Sequence, residues 1–264
     1  MASFQELTTN NGFDSLATPR WQMVPFGARR AVRLVDGDRL AVTSSNTRIA
    51  TVTTAKARNI RSVTIQGVRQ GTCQIVAGTG ATRAVLDVAV KRRVTVRTAF
   101  HYVDDGRVQR TARRIANLNA LIAAVNGVML PQANVQMTRH SAAALRMRQN
   151  LRRVVRFSSH LPGVRARQHE WDDVTDNADT TADFNVFFVV EYEQDDTPLR
   201  DNAQAGTLGG NCIMEDNVGE PDGETLAHEL AHHLGADDKN APAGDLMTPA
   251  GRKLRKAEIN TMNP

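Results

Sequence analysis

A short stretch near the carboxyl end of the 264-residue chain carries the residues best suited to chemistry, His228-Glu229-Leu230-Ala231-His232. An α-helix turns once per about 3.6 residues, so histidines four positions apart project from the same face. This geometry places two imidazoles on one metal ion, and zinc accepts such nitrogen ligands. Glu229 stands beside the first histidine, where its carboxylate can reach a water molecule on the metal. The stretch therefore predicts a metal site with a carboxylate as general base.

The residues after this stretch predict how the site is completed. Gly235, three positions after the second histidine, can adopt the left-handed backbone that ends a helix. The chain then turns back, which places Asp238 to supply a third ligand. Glu258 is the only later glutamate and is the rival third ligand, but it would leave the spacing of Gly235 and Asp238 unexplained. His233 lies one residue off the ligand face and is expected to be exposed or to neighbour the ligands. Four other histidines match no ligand spacing: His101, His140, His160 and His169.

The pattern His228-Glu229-x-x-His232-x-x-Gly235-x-x-Asp238 resembles the metzincin zinc-binding consensus, in the variant with aspartate as third ligand that snapalysin-type peptidases carry. Metzincins also carry a methionine-containing turn below the metal, and Asp245-Leu246-Met247-Thr248-Pro249 follows at a suitable distance. The resemblance implies a zinc metalloendopeptidase that cleaves protein substrates, with this set of residues: His228, His232 and Asp238 on Zn²⁺, Glu229 as general base, and Met247 in the turn. No other cofactor is implied.

The elements that must position this site lie in residues 94–264, which we predict to form an α+β catalytic domain. The hydrophobic pattern predicts the following order: a strand at 94–103, a helix at 108–125, a strand at 134–138, a short helix around 144–154, a central strand at 184–192, a short strand at Asn211–Met214, the motif helix at 223–234 and a final helix at 253–262. This order is close to that expected of a metzincin (zincin) domain. By that resemblance the strand Asn211–Met214 is the edge of the cleft, where an extended peptide substrate would add its backbone to the sheet.

The preceding residues predict a separate all-β domain. Residues 21–93 carry short alternating apolar runs separated by turn signals, which is typical of a β-sandwich. Ser44-Ser45-Asn46, Ile49-Ala50-Thr51-Val52 and the run Gly71–Ala77 resemble a bacterial Ig-like domain of group 2. Residues 1–20 are polar and are predicted to be a flexible N-terminal arm. The predicted fold is thus an all-β Ig-like sandwich followed by a metzincin-type catalytic domain.

Composition limits the remaining classes. Hydrophobic residues make up 41% of the chain and charged residues 23%, as in soluble globular proteins. No apolar run is expected to reach the ~18–20 residues of a transmembrane helix. The N-terminus lacks the features of a signal peptide, which predicts a cytoplasmic protein at synthesis and is compatible with export as an effector by a signal-independent route. Cys73 and Cys212 fall in different predicted domains, so no disulfide is expected.

The charge is unevenly distributed. Net charge is +5, and residues 106–168 contain twelve arginines but no acidic residue. Because aromatic residues do not interleave with these arginines, we expect a solvated basic face that pairs with the acidic half of the chain, not a nucleic-acid site. A rival class is an Ig-like binding or adhesion protein with an inactive metal domain, in which the Ig-like domain meets a surface or delivery partner. Glu229→Gln discriminates the two, since only the enzyme would lose a peptidase activity.

Overall fold

The computed structural model describes residues 1–57, 60–156, 170–193, 203–204, 211–216, 221–238, 244–248 and 251–264. The chain divides into two compact units. The first unit comprises Met1–Val94, Val128–Gln136 and Arg252–Pro264, and the second comprises Thr95–Gly127 and Met137–Gly251. The first unit therefore differs from the predicted domain 21–93, because it also contains the N-terminal residues and two later stretches.

The first unit is built mainly from strands. In chain order these are β1 (Ser3–Glu6), β2 (Phe13–Asp14), β3 (Arg20–Pro25), β4 (Arg29–Val35), β5 (Val42–Ser44), β6 (Ala50–Ala57), β7 (Ile60–Gly67), β8 (Gly71–Ala77) and β9 (Ala84–Lys91). One sheet has the order β1-β4-β7-β6 and the other β2-β3-β9-β8-β5. Side chains from both sheets form one hydrophobic cluster that includes Val32, Ile65, Ile75 and Leu86. The β-rich character predicted from alternating residues is confirmed.

The prediction of a flexible arm over residues 1–20 is wrong. β1 pairs antiparallel with β4, with Phe4 opposite Leu34, and β2 pairs antiparallel with β3. Phe4 and Phe13 are each only 1% exposed. Burying one large aromatic side chain stabilises a fold by about 1.5–3 kcal/mol. The burial of these two phenylalanines therefore holds the segment in the fold although the residues between them are polar.

The second unit contains a five-stranded sheet among its described residues, in the order β11-β10-β13-β16-β15. The elements that lie wholly or largely in this unit are β10 (Val94–Asp104), α1 (Leu118–Ala133), β11 (Val135–Arg146), β12 (Val154–Arg156), α2 (Glu170–Thr175), β13 (Phe184–Val189), β14 (Glu191–Glu193), β15 (Ala203–Gln204), β16 (Asn211–Glu215) and α3 (Asp222–His233). Val94, the last six residues of α1 and the first two of β11 belong to the first unit. β13 runs parallel to both β10 and β16. All six residues of β13 are buried, which confirms its predicted central position.

Two predicted helices differ from the structure. α1 begins at Leu118 after a 3-10 turn at Ile115–Asn117, not at residue 108, because residues before this turn are held out of the helix by other contacts. Thr111 Oγ1 and the Ala112 amide donate hydrogen bonds to the Asp216 carboxylate, at 2.5 and 2.7 Å. The helix predicted around 144–154 is instead the end of β11 followed by a bend and β12. Pairing within a sheet here overrides a helical spacing of apolar residues.

The predicted edge strand at Asn211–Met214 is a strand but not an edge. β16 pairs with β13 on one side and with β15 on the other, where Met214 lies opposite Ala203 and Ile213 opposite Gln204. β15 is antiparallel to β16 and ends the sheet among the residues described. Any peptide that extends this side of the sheet would therefore meet β15 first.

One helical stretch requires a correction of the composition argument. The helical stretch Ile115–Ala133 is 19 residues long and has a mean hydropathy of 1.2. It is therefore long and apolar enough to cross a membrane. Only 28% of this window is buried. Leu118, Val125 and Met129 are nevertheless fully buried side chains of the fold. A core helix that is apolar on every side meets the same criterion, so the stretch is weak grounds for a membrane span.

The C-terminal segment belongs to the first unit. It contains α4 (Lys256–Met262), and Leu254, Ile259 and Met262 are all buried. Lys253 pairs with Glu6 at 2.9 Å, and the Lys256 amide donates to the Asp14 carboxylate at 3.1 Å. The segment therefore packs against residues from the start of the chain.

Candidate metal centre

α3 carries both histidines of the motif, and its sequence explains why it forms here. Leu226, Ala227, Leu230 and Ala231 are buried and give the helix one apolar side. Asp222 and Glu224 occupy the first turn, where the helix dipole favours negative charge. The predicted motif helix at 223–234 is thereby confirmed.

The structure brings the three predicted ligands together. The Nε2 atoms of His228 and His232 lie 3.0 Å apart. Asp238 Oδ1 lies 3.5 Å from the first of these nitrogens and 3.4 Å from the second. Among the described residues, these three are the group of side chains whose ligand atoms could hold one metal ion. The Asp238 side chain is 70% exposed, so the group opens towards solvent on that side.

Each imidazole is oriented by a backbone carbonyl. His228 Nδ1 lies 2.7 Å from the Leu246 carbonyl oxygen, and His232 Nδ1 lies 2.8 Å from that of Ala236. A carbonyl oxygen can only accept, so both Nδ1 atoms carry the proton. In the neutral imidazole, Nε2 then carries an unprotonated lone pair, which is the form in which histidine binds a metal.

The donor set fits zinc. Three acceptor atoms, two nitrogens and one carboxylate oxygen, converge within 3.0–3.5 Å of one another. Two ligands about 2.0–2.1 Å from a tetrahedral ion lie about 3.3–3.4 Å apart, close to these separations. Neutral imidazole lone pairs and a carboxylate at such distances repel unless a cation lies among them. Two histidines, one carboxylate and an open fourth position are typical of a catalytic zinc site.

Gly235 ends α3 as predicted. Its φ is +92°, in the left-handed region. The Gly235 amide donates to the His232 carbonyl and the Ala236 amide to the Ala231 carbonyl, both at 2.9 Å. This is the Schellman pattern of helix termination. The same turn points the Ala236 carbonyl back at the His232 ring, so one glycine both ends the helix and orients a ligand.

Met247 lies in a tight turn formed by residues 245–248. The Thr248 amide donates to the Asp245 carbonyl at 3.0 Å, and Met247 is buried, with 3% of its surface exposed. The neighbouring residue Leu246 supplies the carbonyl that binds His228. Gly251 closes the turn, since a Cβ at this position would overlap the Asp245 carbonyl oxygen. The turn therefore supports the first histidine through its backbone.

The remaining candidates take other positions. Glu229 lies on α3 next to His228 and is buried. His233 is half-buried and stacks on Phe184 with ring centroids 4.6 Å apart; its burial lowers the pKa of the imidazole. Glu258, the rival third ligand, caps α4 by accepting a hydrogen bond from the Arg255 amide at 3.0 Å. This glutamate therefore has a structural role that requires no metal.

The other histidines and the charged residues are largely engaged in structure. His101 contacts Asn185 at 3.0 Å and stacks on Phe187, and burial lowers the pKa of this histidine. His140 lies 2.9 Å from Thr181 Oγ1. His160 and His169 fall outside the described residues. Two arginines of the basic segment pair with residues of the acidic half that follows it, Arg113 with Asp222 and Arg153 with Glu191, whereas Arg146 pairs with Asp104, which precedes the segment.

Sequence reasoning missed the two carbonyls that orient the histidines. Leu246 and Ala236 act through their backbones, so their side chains carry no signal. The signal that could have found them is indirect. A glycine-ended helix and a tight turn that both reach the same pair of histidines imply backbone acceptors close to the rings.

Comparison with known proteins finds likenesses to solved structures but identifies no family. No family model matches the chain, and no curated protein matches it. Among solved structures, domains 4 and 5 of the S-layer protein SbsC are 23% identical over 30% of this chain and 49% of that chain, with a TM-score of 0.24. A chaperone–substrate complex is 11% identical over 80% of this chain and 39% of that chain, with a TM-score of 0.40. A titin I-band fragment is 9% identical over 41% of this chain and 40% of that chain, with a TM-score of 0.20. The chain spans less than half the length of each, and these likenesses carry no argument about its function.

Proposed function

We propose that the second unit is a zinc-dependent endopeptidase of the metzincin type. One observation carries the proposal: three acceptor atoms of His228, His232 and Asp238 converge, and both rings are held with their Nε2 lone pairs directed inwards. The helix end at Gly235 and the turn that contains Met247 support it, because each supplies a carbonyl that orients one ligand. In this proposal the first unit is the Ig-like module, which would meet a surface or delivery partner.

The residues divide the chemistry among them. Zinc, when bound, supplies a Lewis acid that polarises a peptide carbonyl and lowers the pKa of water. Glu229 takes a proton from the attacking water onto its carboxylate and then passes it to the leaving nitrogen of the peptide. The Nδ1 hydrogen bonds of His228 and His232 fix the tautomer that directs each Nε2 lone pair inwards and make that nitrogen a better metal ligand. Asp238 adds one negative charge that offsets part of the charge of the cation.

The substrate is a protein segment in extended form. A strand can be added to a sheet through backbone hydrogen bonds, and β15 is the strand that ends the described sheet next to β16. The substrate backbone would therefore pair along β15, one strand beyond the position that the sequence predicted.

Zinc content of matched variants tests the metal set. Elemental analysis should find about one zinc per chain in the wild type and little in Asp238→Ala. Asp237→Ala is the matched control, since this neighbouring aspartate is also exposed but lies outside the ligand group. Glu258→Ala should also keep its zinc. Zinc retained by Asp238→Ala, or lost equally with Asp237→Ala, would contradict the ligand set.

Casein cleavage tests the reaction on the same samples. Glu229→Gln should retain zinc but lose about 10²–10⁴-fold in rate, the contribution typical of general acid–base catalysis. A wild-type protein that binds zinc stoichiometrically yet cleaves no general substrate would instead favour the binding role. A chain without zinc would remove the basis of the enzyme proposal.

A further inference from the structure

A second site lies at the other end of α3, entirely within the second unit. A cavity of about 410 Å³ is lined by Tyr102 and Phe188, by residues of α1, and by Asp222 and Gly223 at the start of α3. Tyr102 and Phe188 are register partners near the carboxyl ends of the parallel strands β10 and β13. Open sheets of parallel strands bind ligands in the crevice beyond these ends. None of the three metal-centre residues lines this cavity, and the nearer histidine, His228, follows Gly223 by five residues, about 7.5 Å along a helix, so the two sites are distinct.

One wall of the cavity is already completed by the protein. Arg113 donates two hydrogen bonds to the Asp222 carboxylate, at 2.5 and 3.1 Å, and a third to the Glu215 carbonyl at 2.6 Å. Its guanidinium also lies over the Phe188 ring, 5.2 Å from the centroid. Arg113 is therefore a fixed part of the wall, because its terminal nitrogens are engaged within the chain.

Two other polar groups of the cavity are not engaged in this way. Tyr102 is only 6% exposed and packs on Phe188, yet within the described part of the chain its hydroxyl has no hydrogen-bond partner. Burial raises the pKa of this phenol, which keeps the hydroxyl as a neutral donor. Arg114 is exposed and forms no ion pair with a described acidic residue. It also lines an adjoining cavity of about 610 Å³ that shares Tyr102.

Apart from Asn117, the rest of the lining is apolar. Leu118, Ala120, Leu121 and Ala124 of α1 face the cavity, and α1 has no charged residue over its whole length. A volume of about 410 Å³ lies within the range of about 300–1,000 Å³ that small-molecule sites occupy. Such sites combine a mainly apolar lining with a few convergent polar groups, as here.

We propose that this cavity binds a small organic anion, a carboxylate with an unbranched apolar body. Arg114 and the Tyr102 hydroxyl donate to the carboxylate oxygens, and the apolar body packs on Leu118 and Leu121. The choice of a single negative charge follows from the single unengaged guanidinium, since Arg113 is already neutralised by Asp222. The proposal does not depend on zinc or on peptidase activity.

Isothermal titration of the full chain with decanoate, kept below its micelle-forming concentration, tests this site. The wild type should bind one decanoate saturably, and decanol, which has the same chain length but no charge, should bind at least about tenfold more weakly. Arg114→Gln should weaken decanoate binding by about tenfold or more, and Tyr102→Phe by about threefold or more. Arg148→Gln is the matched control, because this exposed arginine lies outside both cavities.

One further variant separates this site from the metal centre, where a carboxylate could also bind. Asp238→Ala should bind decanoate as the wild type does. Absence of saturable binding, wild-type affinity in Arg114→Gln, or loss of binding in Asp238→Ala would each overturn the proposal. Thermal unfolding of every variant confirms that it is folded when titrated.

Discussion

At the amino end of α3, Asp222 accepts two hydrogen bonds from Arg113, whereas at the carboxyl end His228, His232 and Asp238 direct three acceptor atoms at one another. The first arrangement joins a carboxylate to a cation that the chain itself provides. The second arrangement brings three hydrogen-bond acceptors together, and a bound cation would offset their mutual repulsion. Substitutions at the first end should therefore change stability and leave metal binding intact, while those that support the second should change metal binding as well.

The largest effect is expected from Gly251→Ala. A Cβ here overlaps the Asp245 carbonyl, so the turn that holds His228 must move, at a cost of about 3 kcal/mol or more in the free energy of unfolding. Zinc affinity should fall with it. Gly244→Ala is the control: nothing lies within 4 Å of its added Cβ, and its φ of +92° costs only about 1–2 kcal/mol. Urea unfolding and zinc titration measure both, and equal effects of the two variants would contradict the contact argument.

Arg113→Met tests the end that the chain completes. The side chain is 13% exposed and holds Asp222, which is 47% exposed, so we expect a loss of about 2 kcal/mol in stability. Zinc content should remain that of the wild type. Arg110→Met is the control, since this side chain is 79% exposed and lies 3.7 Å from Asp104. A loss of zinc in Arg113→Met would mean that the two ends of α3 are coupled.

Gly235→Ala links helix termination to ligand orientation. Placing a Cβ at a φ of +92° should lower the free energy of unfolding by about 1–2 kcal/mol. The Ala236 carbonyl would shift away from His232, and zinc affinity should fall by about 10-fold or more. Gly235→Asn should restore much of both, because asparagine tolerates the left-handed region. Failure of asparagine to restore zinc binding more than alanine does would contradict the role given to this turn.

The smallest effect concerns Asp179, a second carboxylate whose hydrogen-bond donors are supplied by the chain itself. Hydrogen bonds from the Thr181 side chain and backbone, together with one from Ser141, lower its pKa from 3.8 to about 2. A lowered carboxyl pKa stabilises the fold above the unfolded value, and this contribution is lost as the pH falls from about 4 to about 2. NMR titration of the Asp179 carboxyl carbon should give a midpoint near 2, and Asp179→Asn should remove this part of the acid sensitivity. A midpoint near 3.8 would contradict it.

Sequence reasoning succeeded where a feature depends on local spacing. Apolar residues repeat at the period of the element in the strands from β4 to β9, in the central strand β13 and in the motif helix. The glycine that ends this helix is marked by its own conformational freedom. The convergence of the two histidines with Asp238 followed from the same helical period and one turn.

Sequence reasoning failed where residues far apart in the chain determine the structure. Phe4 and Phe13 become core residues only because β4 and β3 accept their strands, and β15 is too short to show a period of its own. The cavity at Tyr102 joins residues from three separated stretches, so no local pattern marks it. The carbonyls of Leu246 and Ala236 act through atoms that every residue possesses.

The first unit is assembled from three separate stretches of polypeptide, which affects both how the protein can be truncated and how its fold can be inherited. Residues 128–136 and 252–264 join the N-terminal ninety-four. A gene segment that encodes residues 1–93 would thus lack the buried side chains of Leu254, Ile259 and Met262. Chimeras that exchange only the N-terminal segment should aggregate. A recombination event would preserve this unit only if all three stretches were inherited together.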